Sequence, residues 1–250
     1  MKKYIILFSM AVLIVTVIYL MPQQEGPLVM AASSLTNALE EANSIYQDEN
    51  SIPFEVNLAA TGILAHQIEN GANPDIFIAA SQIHVDQLVE DGHLTSDQVQ
   101  PYLENSLVLV SLTDNQPLES LADLNNRPGI IAIAEPTTVP AGMYAKESLE
   151  NSNIYEALSS RLVYGKNVRQ TASYVRLEEA DYGLVYKTDL AVLEGAHVLL
   201  EVDSSLHSPI KYPIVDVLQS KRSKTLIEFM NRSDIKNVFI DEGFKVINFE

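Results

Sequence analysis

The sequence predicts an α/β protein of two lobes behind an apolar N-terminal segment, and three observations lead there. Beyond Met21, short apolar runs alternate with helical patterns, the signature of α/β units. Two such sets occur, separated by a stretch rich in Asn, Asp and Pro from Thr113 to Pro128 that is expected to mark a boundary. No internal repeat, low-complexity stretch or long Gly/Ser linker interrupts them. The chain has 250 residues, and a typical domain of about 150 then leaves room for between one and two domains and a sizeable core.

The N-terminus comes first. Lys2 and Lys3 precede Tyr4 to Met21, eighteen residues without a charge, which as a helix would span about 27 Å, close to a hydrocarbon core. No lysine or arginine follows immediately, so the N-terminus is expected inside and the rest of the chain outside. The nearest small-x-small site, Val29-Met30-Ala31, would cut into the first expected core strand. Residues 1–25 are therefore read as a signal or anchor segment, with 4–21 retained in the cell membrane; cleavage would give a secreted protein.

Leu28 to Ala31 then reads as a strand, followed by a helix with Leu35, Ala38, Leu39, Ala42, Ile45 and Tyr46 on one face. Phe54 to Ala60 is the next strand, and the helix after Thr61-Gly62 is expected to turn Ile63, Leu64 and Ile68 inward and stop at Asn70-Gly71. Asp75 to Ala80 fits a strand buried on both faces of a parallel sheet. His84 to Glu90 is a short helix closed by Gly92, and Ser106 to Ser111 a strand. The second set comprises strands at Ile130–Ala134, Tyr182–Tyr186 and Val198–Val202, with helices at Ala141–Glu150 and Val168–Arg176. Tyr212 to Leu218 is strand-like, and helices at Lys224–Met230 and Ile235–Glu242 finish the fold.

Composition narrows the function. Lys plus Arg number 16 against 33 Asp plus Glu, a net charge of −17, which opposes general nucleic-acid binding and attraction to anionic membranes. The absence of Cys excludes disulfides, thiolate metal sites, Cys nucleophiles and a lipidated cysteine.

Four junctions stand out: Ser33-Ser34, Ala60-Thr61-Gly62, Pro140-Ala141-Gly142 and Asn167-Val168. Each runs an apolar strand or loop into a helix start, where backbone N–H groups lack intrahelical acceptors and the helix dipole places about half a positive charge. Such ends bind anions without a cation. Ser or Thr there is ordinarily an N-cap, and Gly or Pro ordinary turn chemistry. For any one junction that plainer reading is favoured, and spacing does not place all four on one cleft.

Ala31-Ala32-Ser33-Ser34-Leu35-Thr36-Asn37-Ala38-Leu39 resembles the opening signature of the molybdate-binding proteins of ABC importers. Further blocks match in order: Ala60 to Ile78, Asn105 to Val110, Val139-Pro140-Ala141-Gly142-Met143-Tyr144-Ala145-Lys146-Glu147, Val168-Arg169, Gly183-Leu184-Val185-Tyr186 with Asp189, and Tyr212-Pro213-Ile214. The resemblance implies the class II periplasmic-binding-protein fold, with a ligand cleft between lobe 1 (residues 26–107 and 215–250) and lobe 2 (108–214). It implies hydroxyl and N–H donors at Ser34 and Thr61, N–H donors at Ala141 and Val168, and the phenol of Tyr186. Thr61 departs from the family's usual serine; its hydroxyl keeps the donor while its methyl takes space. The resemblance also implies no catalysis and no cofactor. Molybdenum would enter only as the bound molybdate, or tungsten as tungstate, without side-chain metal ligands, and the partners would be an ABC permease and its ATPase. A monomer is expected.

Such a site would hold only neutral donors, suited to a dianion with four acceptor oxygens. Hydrogenphosphate would keep an unpaired O–H, at a cost of about 1 to 3 kcal/mol. Donors from both lobes must reach one small ion, so binding is expected to draw the lobes together. The alternatives are a carrier for another oxyanion such as sulfate, or a membrane-tethered sensor or interaction protein.

Other chemistry finds less support. His66, His84, His93, His197 and His207 form no tight ligand pair. Asp75 fits a turn or cap at a strand start, and Glu178-Glu179 with Asp181 a solvated face. His207-Ser208 with Ser34 suggests a hydrolase triad, yet no Gly-x-Ser-x-Gly elbow surrounds a serine. Aromatic residues, 7% with no Trp, cluster nowhere into a stacking platform.

Overall fold

A computed structural model describes residues 26–247; the expected anchor at 4–21 lies outside them. Along the chain, the first part contains β1 (Leu28–Ala32), α1 (Thr36–Asn50), β2 (Glu55–Ala59), α2 (Thr61–Glu69), β3 (Ile76–Ile78), α3 (Gln82–Glu90) and β4 (Val99–Glu104). The middle part contains β5 (Leu107–Ser111), β6 (Ile131–Ala134), α4 (Pro140–Asn151), α5 (Tyr155–Leu158), β7 (Leu162–Gly165), α6 (Val168–Arg176), β8 (Tyr182–Tyr186) and β9 (His197–Glu201). The chain ends with β10 (Lys211–Asp216), α7 (Lys221–Met230), α8 (Ser233–Asp241) and β11 (Lys245–Val246).

These strands form two sheets, in the orders β11-β4-β10-β3-β1-β2 and β7-β6-β8-β5-β9. In the first, β1 pairs in parallel with β2 and β3, aligning Val29 with Val56 and with Ile76. Val29 to Ala32 and Ile76 to Ile78 are buried, as expected of parallel strands covered by helices on both faces. In the second, β6 lies parallel to β7 and β8, and β5 runs antiparallel to β8 and β9.

Asp75 ties the first lobe together. Its buried carboxylate accepts the Leu28 amide at 2.8 Å and pairs with Arg222 through Nε and Nη2, each at 2.8 Å. Its carbonyl accepts the Val217 amide at 3.2 Å. One side chain thus fixes the start of β1 and of β3 and the start of α7, more than the turn or cap expected.

The structure corrects the expected lobe boundaries. β10 belongs to the first sheet, where Ile214 faces Ile78 and Lys211 faces Glu104, so a boundary at 214/215 would cut this strand. The chain returns earlier, between β9 and β10, and Leu107 belongs to the second sheet. The crossovers lie side by side, with the Asn105 amide donating to the Ile210 carbonyl at 3.2 Å. The Asn/Asp/Pro-rich stretch marks no boundary, because β5 before it and β6 after it share a sheet. It folds as a loop with a 3-10 turn at Leu121–Asn126, held by a Ser120/Asp123 capping box.

Ile63 is also corrected. Thr61, Leu64, Ala65 and Ile68 form the buried face of α2, leaving Ile63 42% exposed because it falls off that 3.6-residue stripe. Gly71 stops the helix as expected, in the left-handed region at φ 92°.

Candidate functional site

Ser34, Thr61, Ala141, Val168 and Tyr186 line one small cavity between the lobes, with free space of about 10 Å³, close to what a single water needs. Small and apolar residues complete its wall, including Ala32, Ala60, Ala80 and Val139, and among the described residues no charged side chain lines it. The sequence left open whether the four helix-start junctions converge; in the fold they do.

The helix starts carry an unusual local signal. The residues at the N-cap positions of the Ser33–Leu35 turn, of α2 and of α4 are Ala32, Ala60 and Val139, which make no side-chain cap hydrogen bond. These side chains cannot satisfy the first N–H groups, so the amides at Ser34, Thr61 and Ala141 remain available to something in the cavity. At α6, Asn167 caps the Gln170 amide at 2.8 Å, which leaves the Val168 amide uncapped. An apolar N-cap marks three of these four starts, while α6 keeps the polar Asn167.

Close backbone packing aims two of these turns. A Cβ at Gly142 would run into the Ala134 carbonyl and meet the Glu135 carbonyl carbon at 2.9 Å. At α2, the Gly62 amide donates across the cleft to the Thr138 carbonyl at 3.1 Å. A Cβ at Gly62 would meet that oxygen at 2.7 Å.

Hydroxyl polarity is set by the surroundings. The Ala80 amide donates to Thr61 Oγ1 at 3.0 Å, so the Thr61 proton is directed elsewhere. Asn105 Oδ1 accepts the Ser106 amide at 2.9 Å, which orients Nδ2 to donate to Thr188 Oγ1 at 2.9 Å and to the Tyr212 hydroxyl at 3.3 Å. Tyr212 in turn lies 2.9 Å from Ser34 Oγ. With Asn105 donating to its oxygen, Tyr212 can donate to Ser34 Oγ, the arrangement that leaves the Ser34 proton for the cavity. The Tyr186 hydroxyl is buried and, among the described residues, makes no hydrogen bond of ordinary length. Burial, followed by the proximity of Tyr212, Tyr144 and Asp189, holds it well above the ordinary phenol range, so it remains a donor at neutral pH. Sequence reasoning assigned no role to Tyr212, Asn105 or the Ala80 amide, because they act on the donors from behind.

The remaining candidates lie elsewhere. Ser34 pairs with Tyr212 and not with His207, whose Nδ1 faces the Ser208 carbonyl at 2.8 Å, so the triad does not assemble. His66 is exposed beside Glu69 at 2.9 Å, and burial lowers the His84 pKa. Among the described residues no group of three or more His, Cys, Asp or Glu could hold a metal ion.

The comparisons agree with this architecture. The Escherichia coli molybdate-binding protein ModA is 30% identical over 98% of this chain and 99% of its own length. The Bacillus subtilis protein YvgL, whose name describes an ABC transporter substrate-binding lipoprotein, is 34% identical over 86% of this chain and 85% of its own. The periplasmic molybdate-binding protein of Azotobacter vinelandii superposes with a TM-score of 0.76 at 19% identity, covering 89% of this chain and all of the other. The fold is therefore that of the periplasmic binding proteins. Residues 27–245 match the family model described as bacterial extracellular solute-binding protein, and the chain belongs to that family.

Proposed function

We propose that this protein captures molybdate or tungstate outside the cytoplasm, holding the dianion between its lobes and delivering it to an ABC permease. The observation that carries the reading is the cavity's chemistry: uncapped helix starts from both lobes and protonated hydroxyls converge where no acid or base lines the wall. In the bound state Ser34 and Thr61 donate through hydroxyl and amide, Ala141 and Val168 through their amides, and Tyr186 through its phenol. Each oxygen of a tetrahedral dianion finds donors, and no acceptor waits for a proton the ion lacks. Hydrogenphosphate would bring an O–H with no acceptor, losing about 1 to 3 kcal/mol. The E. coli relative, similar over nearly the whole chain, is named for molybdate, which favours that ion over sulfate. The apolar stretch 4–21 is proposed to tether the protein to the membrane.

Titration calorimetry with molybdate, tungstate, sulfate and phosphate tests this. Molybdate or tungstate should bind tightly and phosphate should not. Tight sulfate binding without molybdate binding would replace the reading by a sulfate carrier, and no binding of any oxyanion would refute a carrier role. The mass of the mature N-terminus decides between anchor and cleaved leader.

A further inference from the structure

One charged group bridges the lobes just behind the cavity without lining it. Arg169 follows Val168 at the start of α6, in the second lobe, and its side chain is only 17% exposed. Its Nε donates to the Ser33 carbonyl and its Nη2 to the Ser34 carbonyl, each at 3.2 Å. Both carbonyls belong to the first lobe. Asp189 stands on the other side of the guanidinium, with Oδ1 3.3 Å from Nε, and is fully buried. Asp189 Oδ2 also accepts the Tyr186 amide at 3.2 Å. One guanidinium therefore joins the segments that carry Ser34, Val168 and Tyr186.

Each half of this contact is prepared within its own lobe. In the first, the Ser33 carbonyl already accepts the Thr36 hydroxyl at 2.7 Å and the Thr36 amide, so the turn is rigid before the second lobe arrives. In the second, the Asp189 carboxyl, tied by Oδ2 to the Tyr186 amide, faces the guanidinium 3.3 Å from Nε. A contact between two preorganised halves costs little reordering when it forms. Because a trans peptide points its N–H opposite to its C=O, a grip on the Ser33 carbonyl from behind leaves the Ser34 amide facing away from Arg169.

We propose that Arg169 is the latch of lobe closure, a positioning residue that stabilises the closed arrangement whichever anion is bound, while the cavity donors choose the anion. The inference rests on the oxyanion reading of the cavity for its effect on affinity, but not for its effect on the lobes. A latch that touches no ligand changes the open-to-closed ratio alone, so its loss weakens every anion by the same factor. A residue in the donor set would change selectivity instead.

The absence of Cys allows one label on each lobe of the full-length protein, through Glu90→Cys and Glu156→Cys, both exposed positions. The interlobe separation is measured by electron spin resonance without anion and at saturating molybdate, alongside calorimetry with molybdate and tungstate. In Arg169→Met the anion-free population should shift toward open separations, saturating molybdate should restore the closed one, and both dissociation constants should rise by a common factor of about ten. Arg169→Lys keeps the charge but not the two-pronged geometry, and should shift the same quantities in the same direction by less. It serves as the deciding variant if Arg169→Met fails to fold. Unchanged anion-free separations in the folded variants would overturn the latch, as would a loss of affinity confined to one anion. If the parent protein binds neither molybdate, tungstate nor sulfate, the oxyanion reading falls, and the anion-free separations still decide the latch.

Discussion

The hydroxyl oxygen of Thr61 accepts the Ala80 amide at 3.0 Å, and this one bond decides what the threonine can offer the cavity. With its oxygen occupied by a donor, the hydroxyl is left with a proton to give. Thr61→Ser keeps both halves of the arrangement and should bind molybdate within a few-fold of the parent. Thr61→Val removes the cavity donor and leaves the buried Ala80 amide unpaired. It should weaken molybdate by about 1 to 3 kcal/mol and lower stability by a similar amount, read by calorimetry and urea unfolding. Undiminished affinity in Thr61→Val would remove Thr61 from the site.

Tyr186 should give the opposite stability signature. Among the described residues its buried hydroxyl makes no hydrogen bond of ordinary length, so Tyr186→Phe deletes a poorly satisfied group along with a ligand donor. The anion-free protein should become more stable by about 1 kcal/mol while molybdate binding weakens by about 1 to 3 kcal/mol. Thermal unfolding with and without molybdate reads both effects. A loss of stability in the anion-free variant would mean that the phenol has a structural partner after all.

Gly142 is defined by what lies against it. Because a methyl group there would press on the Ala134 carbonyl, Gly142→Ala must displace the start of α4, and the Ala141 amide with it. Overpacking of this kind costs about 1 to 3 kcal/mol of stability, and molybdate affinity should drop at least tenfold. Gly195→Ala, where the nearest neighbour of an added Cβ is a flexible Leu112 side chain at 3.8 Å but the backbone is left-handed at φ 81°, should lose stability without losing affinity. Equal affinities for the two variants would argue against aim at α4 as the reason for the glycine.

Asp189 couples the fold to pH. Burial pushes its carboxyl up to about 7, against the opposing pull of Arg169 and of the Tyr186 amide. An unfolded chain releases that proton near the ordinary value of 3.8, so between these values the folded state holds a proton that the unfolded state has lost. The contribution is complete below about pH 4 and disappears as pH rises through about 7. Asp189→Asn stays neutral throughout. The stability of the parent relative to this variant should therefore fall from pH 5 to pH 7, measured as the difference between their urea midpoints. Carboxylates with lowered pKa, such as Asp114, are common to both proteins and drop out of the difference. Parallel curves would contradict the assignment.

Elements with a strong local signature were legible from sequence. Val168–Arg176 and Tyr182–Tyr186 appear in the structure with the bounds read from sequence, one marked by the Asn167 cap and the other by an unbroken apolar run. Val99–Glu104 was missed because Pro101 interrupts it; in the sheet this residue sits opposite Pro213, where the register shifts. Of the edge strands, Leu162–Gly165 was missed because only its two end residues are buried, and Lys245–Val246 because neither residue is. The lobe crossing was misplaced because neither crossover has a linker's composition. At the cavity, the residues at the helix starts were legible and their supports were not. Tyr212 reaches Ser34 over 178 positions and Arg169 reaches Ser33 over 136, and no periodicity encodes contacts of that kind.

The position of β10 also bears on how the chain acquires its shape. β10 sits inside the first sheet, between β4 and β3, although it is made from residues that follow the entire second lobe. The second sheet can form from the continuous stretch Leu107–Glu201, whereas the first stays incomplete until Lys211–Asp216 arrives. Contacts so distant in sequence form late, because loop closure must come first. A chain threaded through a membrane from its N-terminus would therefore reach the far side with its second lobe able to fold while its first waits for the last forty residues or so. Pulse-labelled hydrogen exchange during refolding should protect the amides of β5, β6 and β8 before those of β3 and β10. Simultaneous protection would mean that both lobes form in one step.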